Sequence, residues 1–335
     1  MARTLAFPPS GRYLRHPLRT PLEPVRLAEE QPLIWCKLEF LNPSGSTKDR
    51  IARHILEKAW RRGQVRPGSW VVEASSGSTG MALAMACSSL GLRFLAVIPQ
   101  GASQERLLAI RAYGGEVLVL PEGLGMAAAI ARAEQEAERR GGLATRQFEN
   151  PDNAEAHRLG TAAEVLTQIP GGRVDAVVSG IGTGGTLLGL WGGCRMAGCD
   201  CRPYAARPTT GSGGSELECC SFSGRIPGVM DGLSRLHRPE DLPGLEVLEI
   251  EDEVALSTTR ELIRQGFPVG PSSGLNFAAA LEAARRLGPE ALVVTVFPDR
   301  MERYFSTELF RPYSSADSQA IPKGQRETNQ NREQQ

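Results

Sequence analysis

The sequence predicts an α/β protein built from two doubly wound parallel-sheet domains. Continuous apolar strands alternate with amphipathic helices, and this alternation begins again after Pro151. Such strands are typical of parallel sheets that are covered on both faces. A chain of 335 residues can bury two domain-sized cores. We therefore expect an N-terminal α/β domain over residues 1–150 and a C-terminal one over 151–312, with part of 13–34 packing on the C-terminal domain.

The first half of the chain predicts four strands, each followed by a helix. The first strand, WCKLEF, alternates apolar and polar residues, whereas the later strands are apolar runs. In the helices, apolar residues recur every three or four positions, and glycines follow the last turns. The predicted strands are 35–40, 69–75, 94–99 and 116–121, and the predicted helices are 49–62, 79–91, 103–114 and 126–142.

The second half repeats the pattern around a long irregular segment. Residues 208–245 are rich in Gly, Ser and Pro, and the polar tail 313–335, rich in Gln, Asn and Ser, is predicted to be disordered. Elsewhere the same periodicities apply. The predicted strands are 175–180, 203–206, 245–250 and 291–298, and the predicted helices are 153–169, 186–198, 252–266 and 275–288.

Charge and hydropathy argue against nucleic-acid and membrane partners. Lys plus Arg and Asp plus Glu both number 38, so the formal net charge is zero, and no basic cluster interleaved with aromatics occurs. The most apolar stretch, 80–99, is interrupted by Ser88, Ser89 and Arg93, which excludes a membrane span there. The N-terminal segment lacks the apolar core of a signal peptide. We expect a cytoplasmic protein that acts on a small molecule.

The seven cysteines do not form a recognisable metal or disulfide pattern. Their number is odd, and a chain of this size needs no disulfide staples, so reduced thiols are expected. Four lie close in sequence, with Cys220 adjacent to the last, but their spacing matches no paired C-x-x-C motif. We therefore expect no metal site at Cys194, Cys199, Cys201 and Cys219.

A turn rich in hydroxyl groups follows the predicted strand 69–75. Its sequence is EASSGSTG, residues 73–80, and it leads into a helix. A capped strand-to-helix turn needs a single Ser or Thr, whereas this one has four hydroxyls in five residues: Ser75, Ser76, Ser78 and Thr79. Hydroxyls and free N–H groups at a helix start bind carboxylates or phosphates. The turn therefore favours anion binding over simple capping.

A second turn, SGIGTGGTLLG at 179–189, also joins a strand to a helix. Its glycines 180, 182 and 185 satisfy the dinucleotide fingerprint, and Asp200 follows at about the required distance. However, Asp200 precedes the next predicted strand, and Arg207 lies where the ribose-binding acid belongs. The Thr-Gly-Gly-Thr core also suits a compact phosphate better than a pyrophosphate. A nicotinamide (NADP) oxidoreductase remains an alternative at this point.

Two further segments are ambiguous alone. Residues 269–281, VGPSSGLNFAAAL, form a Gly-Pro-Ser-Ser-Gly turn into a helix, which is either an N-cap or a ligand site. Lys48, in NPSGSTKDR at 42–50, stands where a helix begins. A lone lysine there is by default a solvated first-turn residue, and the residues alone do not exclude a chemical role.

Together these segments resemble the cysteine synthase family of pyridoxal-phosphate enzymes, which includes O-acetylserine sulfhydrylase and cystathionine β-synthase. The Lys48 segment, the Ser-Gly-x-Thr-Gly loop, GTGGT and the Ser-Ser-Gly turn occur in the family's order. The similarity extends from about residue 10 to about 312 and includes QFENPDNAEAH (147–157), IPGVMDGLSR (226–235) and VFPDRMERYFST (296–307). It implies the tryptophan synthase β-subunit-like fold, called fold type II, and a homodimer.

The resemblance also implies a cofactor, pyridoxal 5'-phosphate, and its ligands. Lys48 resembles the Schiff-base lysine, which also moves the α-proton of the substrate. Ser272 would hydrogen-bond the pyridine nitrogen. Ser78 takes the place of a family Asn that reaches the 3' oxygen. The phosphate would rest on Gly182, Thr183, Gly184, Gly185 and Thr186.

The implied reaction is β-replacement. Cysteine or a related β-substituted alanine would form from O-acetylserine or O-phosphoserine through an aminoacrylate. Ser78, and Met230 and Asp231 near the site entrance, depart from the family pattern and leave the acceptor open. The alternatives are a β-elimination lyase such as cysteine desulfhydrase, and a catalytically silent relative. The substrate α-carboxylate would be held by Ser75, Ser76, Gly77, Thr79 and Gln147.

Overall fold

The computed structural model describes residues 19–210, 225–229, 233–236 and 241–314. Predictions for the polar tail after residue 314, for most of the irregular segment 208–245, and for Met230, Asp231, Cys219 and Cys220 lie outside the described residues.

The described residues contain ten strands in two sheets. The larger sheet has the order β1-β2-β10-β7-β8-β9, and the smaller one has the order β5-β4-β3-β6. The strands are β1 Leu22–Val25, β2 Ile34–Lys37, β3 Trp70–Ala74, β4 Arg93–Ile98, β5 Glu116–Val119, β6 Leu143–Ala144, β7 Ala176–Gly180, β8 Arg202–Thr209, β9 Glu246–Glu251 and β10 Val293–Val296.

Helices connect the strands and cover the sheets. None of the described helices is long and apolar enough to span a membrane. The α-helices are α1 Lys48–Arg61, α2 Ser78–Leu90, α3 Gln104–Ala112, α4 Met126–Arg139, α5 Asp152–Ala156, α6 Ala163–Gln168, α7 Gly185–Met196, α8 Asp252–Arg264, α9 Pro271–Leu287 and α10 Arg311–Ser314. A π-helix spans His157–Ala162, and 3-10 helices span Glu39–Leu41, Pro170–Gly172, Met301–Tyr304 and Glu308–Phe310.

The pairing within the sheets is parallel, as the apolar runs predicted. Every described neighbouring pair is parallel except β1 with β2. All four residues of β10 are buried, as are the last four of β3. Strands covered on both faces cannot alternate between apolar and polar residues, which explains their sequences. The predicted α/β fold class is confirmed.

The N-terminal strands belong to the larger sheet. β1 pairs with β2, which in turn lies beside β10. β1 lies within residues 13–34, the segment expected to pack on the C-terminal domain, and the smaller sheet contains only strands between residues 70 and 144. The sequence pattern could not reveal the pairing of β2 with β10, because periodicity identifies a strand but not its partner.

Several element boundaries also differ from the prediction. The strand expected at 35–40 ends at Lys37 and gives way to the 3-10 helix Glu39–Leu41. The short strand expected at 203–206 extends over Arg202–Thr209, where it pairs with two neighbours. The helix expected at 153–169 is interrupted by a π-helical segment, which periodicity does not distinguish from an α-helix.

A buried ionic network anchors α1 to the larger sheet. Arg50 lies within 2.6 Å of the Glu39 carboxylate and 2.7 Å of the Glu164 carboxylate, and Lys37 lies 2.8 Å from Glu164. Thr20 donates its hydroxyl to Glu39. Burial alone would raise the pKa of Glu39, but the charge and hydrogen bonds of Arg50 outweigh it and hold that pKa at about 2. The pairing keeps both charges in place because neither could remain buried alone.

We expect Glu39→Gln to lower the free energy of unfolding by about 3 kcal/mol at pH 7, because Arg50 then loses the charge of a buried partner. The deficit should shrink as pH falls from about 4.5 toward 2, where wild-type Glu39 also becomes protonated. Urea denaturation followed by tryptophan fluorescence measures both effects. Glu57→Gln is the control, since Glu57 and Arg61 form a pair at the surface with side chains 27% and 51% exposed, and it should cost less than about 0.5 kcal/mol. Equal losses in the two variants would contradict the account.

Candidate active site

A cavity lies where the carboxyl ends of several parallel strands meet, the position at which α/β proteins bind ligands. Its lining comes from the segments that follow β3, β6, β7 and β10, and from the starts of α1 and α9. Ten of the predicted site residues line it: Lys48, Ser76, Ser78, Thr79, Gln147, Gly182, Thr183, Gly184, Thr186 and Ser272. Ser75, Gly77 and Gly185 do not.

Lys48 is the first residue of α1 and is partly buried. Its backbone is held next to the segment after β10, since the N–H of Thr47 donates to Pro298 at 2.8 Å and Ser46 pairs with Asp299. Burial lowers the pKa of the Lys48 amine, and the charge of Asp299 partly opposes this shift. An amine with a lowered pKa is more readily neutral, as a nucleophile or a base must be.

The turn after β3 is built around the Ser75 hydroxyl. Its oxygen accepts hydrogen bonds from the N–H groups of Gly77 and Gly80, at 2.9 and 3.0 Å. Ser75 is almost completely buried, and its predicted contact with substrate stays a prediction. Gly77 has a φ of +134°, and a Cβ there would lie 2.2 Å from the Arg106 side chain. Ser75 and Gly77 therefore shape the turn, while Ser76, Ser78 and Thr79 face the cavity.

Gln147 is fixed in the cavity wall by three hydrogen bonds. Its side-chain NH₂ donates to the Ala74 carbonyl at 2.6 Å, and its side-chain oxygen accepts from the Thr79 hydroxyl at 2.6 Å. Its backbone N–H donates to the buried carboxyl of Glu73 at 3.0 Å. Arg146, just before it, has a φ of +54°, a conformation that non-glycine residues adopt only at some cost. The wall is rigid at this point.

The turn after β7 presents the N-terminus of α7 to the cavity. Gly184, its N-cap, has a φ of +81°, which favours glycine. The Thr183 hydroxyl accepts from Asn153 at 2.9 Å, and Gly185 packs against the same Asn153 side chain. Free backbone N–H groups at the start of a twelve-residue helix, together with the hydroxyls of Thr183 and Thr186, form a site suited to a phosphate.

The start of α9 closes the opposite side of the cavity. Ser272 is its second residue and lines the cavity. Asn276, one turn later, accepts from the Gly180 N–H at 2.7 Å and donates to the Val296 carbonyl at 2.9 Å. This side chain therefore joins the ends of β7 and β10 to α9. It fixes the position of Ser272 relative to the turn after β7.

His157 contacts Thr186, which lies in the turn after β7. It is buried, and its Nε2 lies 3.2 Å from the Thr186 hydroxyl while its Nδ1 lies 2.9 Å from the Thr161 hydroxyl. Burial lowers the pKa of His157 to about 3, so the ring is neutral at physiological pH. The sequence pattern gave no role to this histidine, because its contact with Thr186 depends on the packing of α7 against the π-helix.

Asp299, Tyr304 and Arg106 also line the cavity, although no motif of the sequence indicates a role for them. Asp299 follows β10, so the rule that ligands bind at the carboxyl ends of strands could have selected it. Its carboxylate accepts from the Tyr304 hydroxyl at 2.8 Å and from Ser78 at 3.2 Å. Arg106 lies over the Tyr304 ring at 4.8 Å and donates to the Ser76 carbonyl. Packing alone brings Arg106 here.

One described cluster outside the cavity has spacing suitable for a metal: His54, Asp152 and Glu155. The ammonium group of Lys58 hydrogen-bonds to both carboxylates. These contacts hold the pKa of Glu155 at about 2 and already supply the cation that the two acids require. The cluster therefore serves as an ion-pair network between α1 and α5.

Comparison with known proteins agrees with this geometry. A model of the family described as pyridoxal-phosphate dependent enzyme matches residues 13–299. A cysteine synthase from Staphylococcus aureus is 36% identical over 285 residues, covering 83% of this chain and 89% of the relative. An O-ureido-L-serine synthase from Streptomyces lavendulae is also 36% identical, over 87% of this chain and 90% of the relative. The solved structure of an O-acetylserine dependent cystathionine β-synthase from Helicobacter pylori superimposes with a TM-score of 0.80 at 30% identity, covering 91% and 100% of the two chains.

The chain belongs to the pyridoxal-phosphate dependent enzyme family. Its fold is that of the fold-type II enzymes, and its cofactor is pyridoxal 5'-phosphate. The alternative of a nicotinamide enzyme also conflicts with the structure. Its candidate ribose ligand, Asp200, is fully exposed and pairs with Arg195.

The cavity fits this cofactor. A partly buried lysine is available for a covalent link, and the N-terminal turn of α7 offers backbone N–H groups to a phosphate. These two features face one cavity, together with the hydroxyl of Ser272.

We expect Gly184→Val to weaken pyridoxal-phosphate retention more than Thr183→Ala does. Valine at a φ of +81° is strained, and its side chain would disturb the turn whose N–H groups are expected to bind the phosphate. Thr183→Ala removes one hydroxyl among several donors, which should raise the Kd about tenfold. Cofactor absorbance after gel filtration at increasing dilution measures retention. Equal retention in both variants would place the phosphate elsewhere.

Proposed function

We propose that this protein catalyses β-replacement on an activated serine, forming cysteine or a related β-substituted alanine. The observation that carries the proposal is the presence in one cavity of the partly buried Lys48, the hydroxyl-rich turn after β3 and the N-terminus of α7. The cysteine synthase and O-ureido-L-serine synthase relatives support the same class of reaction.

Lys48, Ser78, the turn 182–186 and Ser272 would hold the cofactor. When bound, pyridoxal phosphate supplies an electron sink that stabilises negative charge at the substrate's Cα. The phosphate is the group for which the N-terminus of α7 provides donors. Because Ser272 is a neutral hydroxyl, it would leave the ring nitrogen less protonated than a carboxylate partner would.

The turn after β3 would bind the α-carboxylate of the substrate. Ser76 and Thr79 face the cavity, and Ser75 and Gly77 keep the turn in shape. Gln147 is tied to Thr79 and to the Ala74 carbonyl, so it would position the carboxylate with little reorganisation.

Lys48 would take the α-proton and later return it to Cα. Its lowered pKa favours the neutral amine that removes a proton. The side chain is partly buried, which limits the water that could divert the reaction toward a ketoacid and ammonia. We propose O-acetylserine or O-phosphoserine as the substrate, because acetate or phosphate leaves as a stable anion.

We further infer that the protein is a cytoplasmic homodimer without a nucleic-acid partner. The resemblance to the cysteine synthase family supports the dimer, and the formal net charge of zero gives no general attraction for polyanions.

The protein loaded with pyridoxal phosphate should convert O-acetylserine or O-phosphoserine, together with hydrosulfide, into cysteine, with pyruvate and ammonia as minor products. Amino-acid analysis and a ketoacid assay measure the two outcomes, and serine and cysteine serve as comparison substrates. Lys48→Ala should abolish turnover. Lys58→Ala, on the same helix but bonded to Asp152 and Glu155, is the matched control. Formation of ketoacid and ammonia alone, whichever acceptor is supplied, would replace the proposal with a β-elimination lyase.

A further inference from the structure

Asp299 is the one carboxylate among the described residues that line the cavity. Its Oδ2 accepts hydrogen bonds from the Ser78 hydroxyl at 3.2 Å and the Tyr304 hydroxyl at 2.8 Å. The residue is only 6% exposed, whereas Ser78 is half-buried and faces the cavity. Ser78 therefore offers a molecule in the cavity a hydrogen-bonded path to Asp299.

The proposed β-replacement, on which this inference rests, releases one proton that Lys48 is not free to accept. The bond from Cβ to the leaving group breaks, and a bond from Cβ to the nucleophile forms. Lys48 carries the α-proton from the first half of the reaction and must return it to Cα. A neutral nucleophile must also lose its own proton, so a second group has to accept it.

The geometry points to a proton relay in which the nucleophile gives its proton to Ser78 while Ser78 passes its own proton to Asp299. As the proton leaves, the electron pair of the nucleophile's X–H bond becomes available to form the bond to Cβ. The carboxyl of Asp299 then holds the proton and releases it to solvent when the product leaves the cavity. Ser78 ends as it began, with one proton on its hydroxyl.

The relay gives a function to Ser78, the residue that this chain has in place of the family Asn. The family Asn that Ser78 replaces offers an amide, which does not exchange one proton for another as a hydroxyl does. The relay serves nucleophiles that are neutral in solution, such as a thiol. Hydrosulfide needs no relay, because it is already an anion and keeps its remaining proton in the product. Ser78 and Asp299 therefore assist neutral acceptors and leave the reaction with hydrosulfide unaided.

The groups around Asp299 are compatible with this role. Lys48 and Arg106 bring positive charge into the same cavity, and Arg106 lies over Tyr304. Arg303, on the same segment, donates to the carbonyls of Ser44 and Gly45 rather than to Asp299. Burial and the charge of Asp299 raise the pKa of Tyr304, which therefore remains a hydrogen-bond donor over the working range.

The test compares two acceptors with O-acetylserine as the common substrate: hydrosulfide and the neutral thiol 2-mercaptoethanol. Asp299→Asn and Ser78→Ala should each lower the ratio of kcat/KM for the thiol to that for hydrosulfide by about 100-fold. In Asp299→Asn, kcat/KM for the thiol should also fall about tenfold per pH unit below the thiol's pKa, because only the thiolate then reacts. In the wild type this dependence should be much weaker.

Tyr304→Phe is the control, because it removes the other hydroxyl bonded to Asp299 without interrupting the path through Ser78. It should change the ratio by no more than about threefold. Bound pyridoxal phosphate, measured by absorbance, shows that each variant is loaded. A proportional loss with both acceptors in Asp299→Asn, or no use of the thiol by the wild type, would overturn the relay. Failure of the wild type with both acceptors would instead overturn the proposed function.

Discussion

A lysine amine held partly buried at the start of a helix is the constraint on which the site depends. Burial makes the amine easier to deprotonate, but it also disfavours the charged form that the lysine needs at other stages. Asp299 moderates this conflict with an opposite charge, and its position relative to Lys48 is set by the pairing of Ser46 with Asp299. The backbone pairing between Ser46 and Asp299 is therefore as important to the chemistry as the side chain of Lys48 or of Asp299.

The helix that carries Lys48 needs its own anchor. Arg50, two residues later, enters the buried network with Glu39 and Glu164, so the first turn of α1 is tied to the larger sheet. The rest of α1 packs on α2 within the core that covers the smaller sheet. Because α1 is tied to the larger sheet and also packs in the core of the smaller one, both sheets together determine the position of the Lys48 amine.

The sequence predicted the parts of the fold that arise from local patterns. The parallel strands, their helices and the three Gly/Ser-rich turns are visible as apolar runs and turn residues, and ten of thirteen candidate site residues line one cavity. The pairing of β2 with β10 was not predictable, because these strands lie more than 250 residues apart in the sequence and such pairing leaves no periodic signal. The contact of His157 with Thr186 was missed for a related reason, since it depends on which hydroxyl group the folded chain places beside the imidazole ring.

The covalent link between Lys48 and the cofactor is the central claim, and its direct measurement is borohydride reduction followed by peptide mapping. The purified protein should be yellow, and reduction should fix the cofactor on the peptide that contains Lys48, and not on the one that contains Lys58. Lys48→Ala should leave the cofactor removable by gel filtration after the same treatment. A colourless protein that binds NADP(H), or a reduced cofactor on any other lysine, would contradict the account.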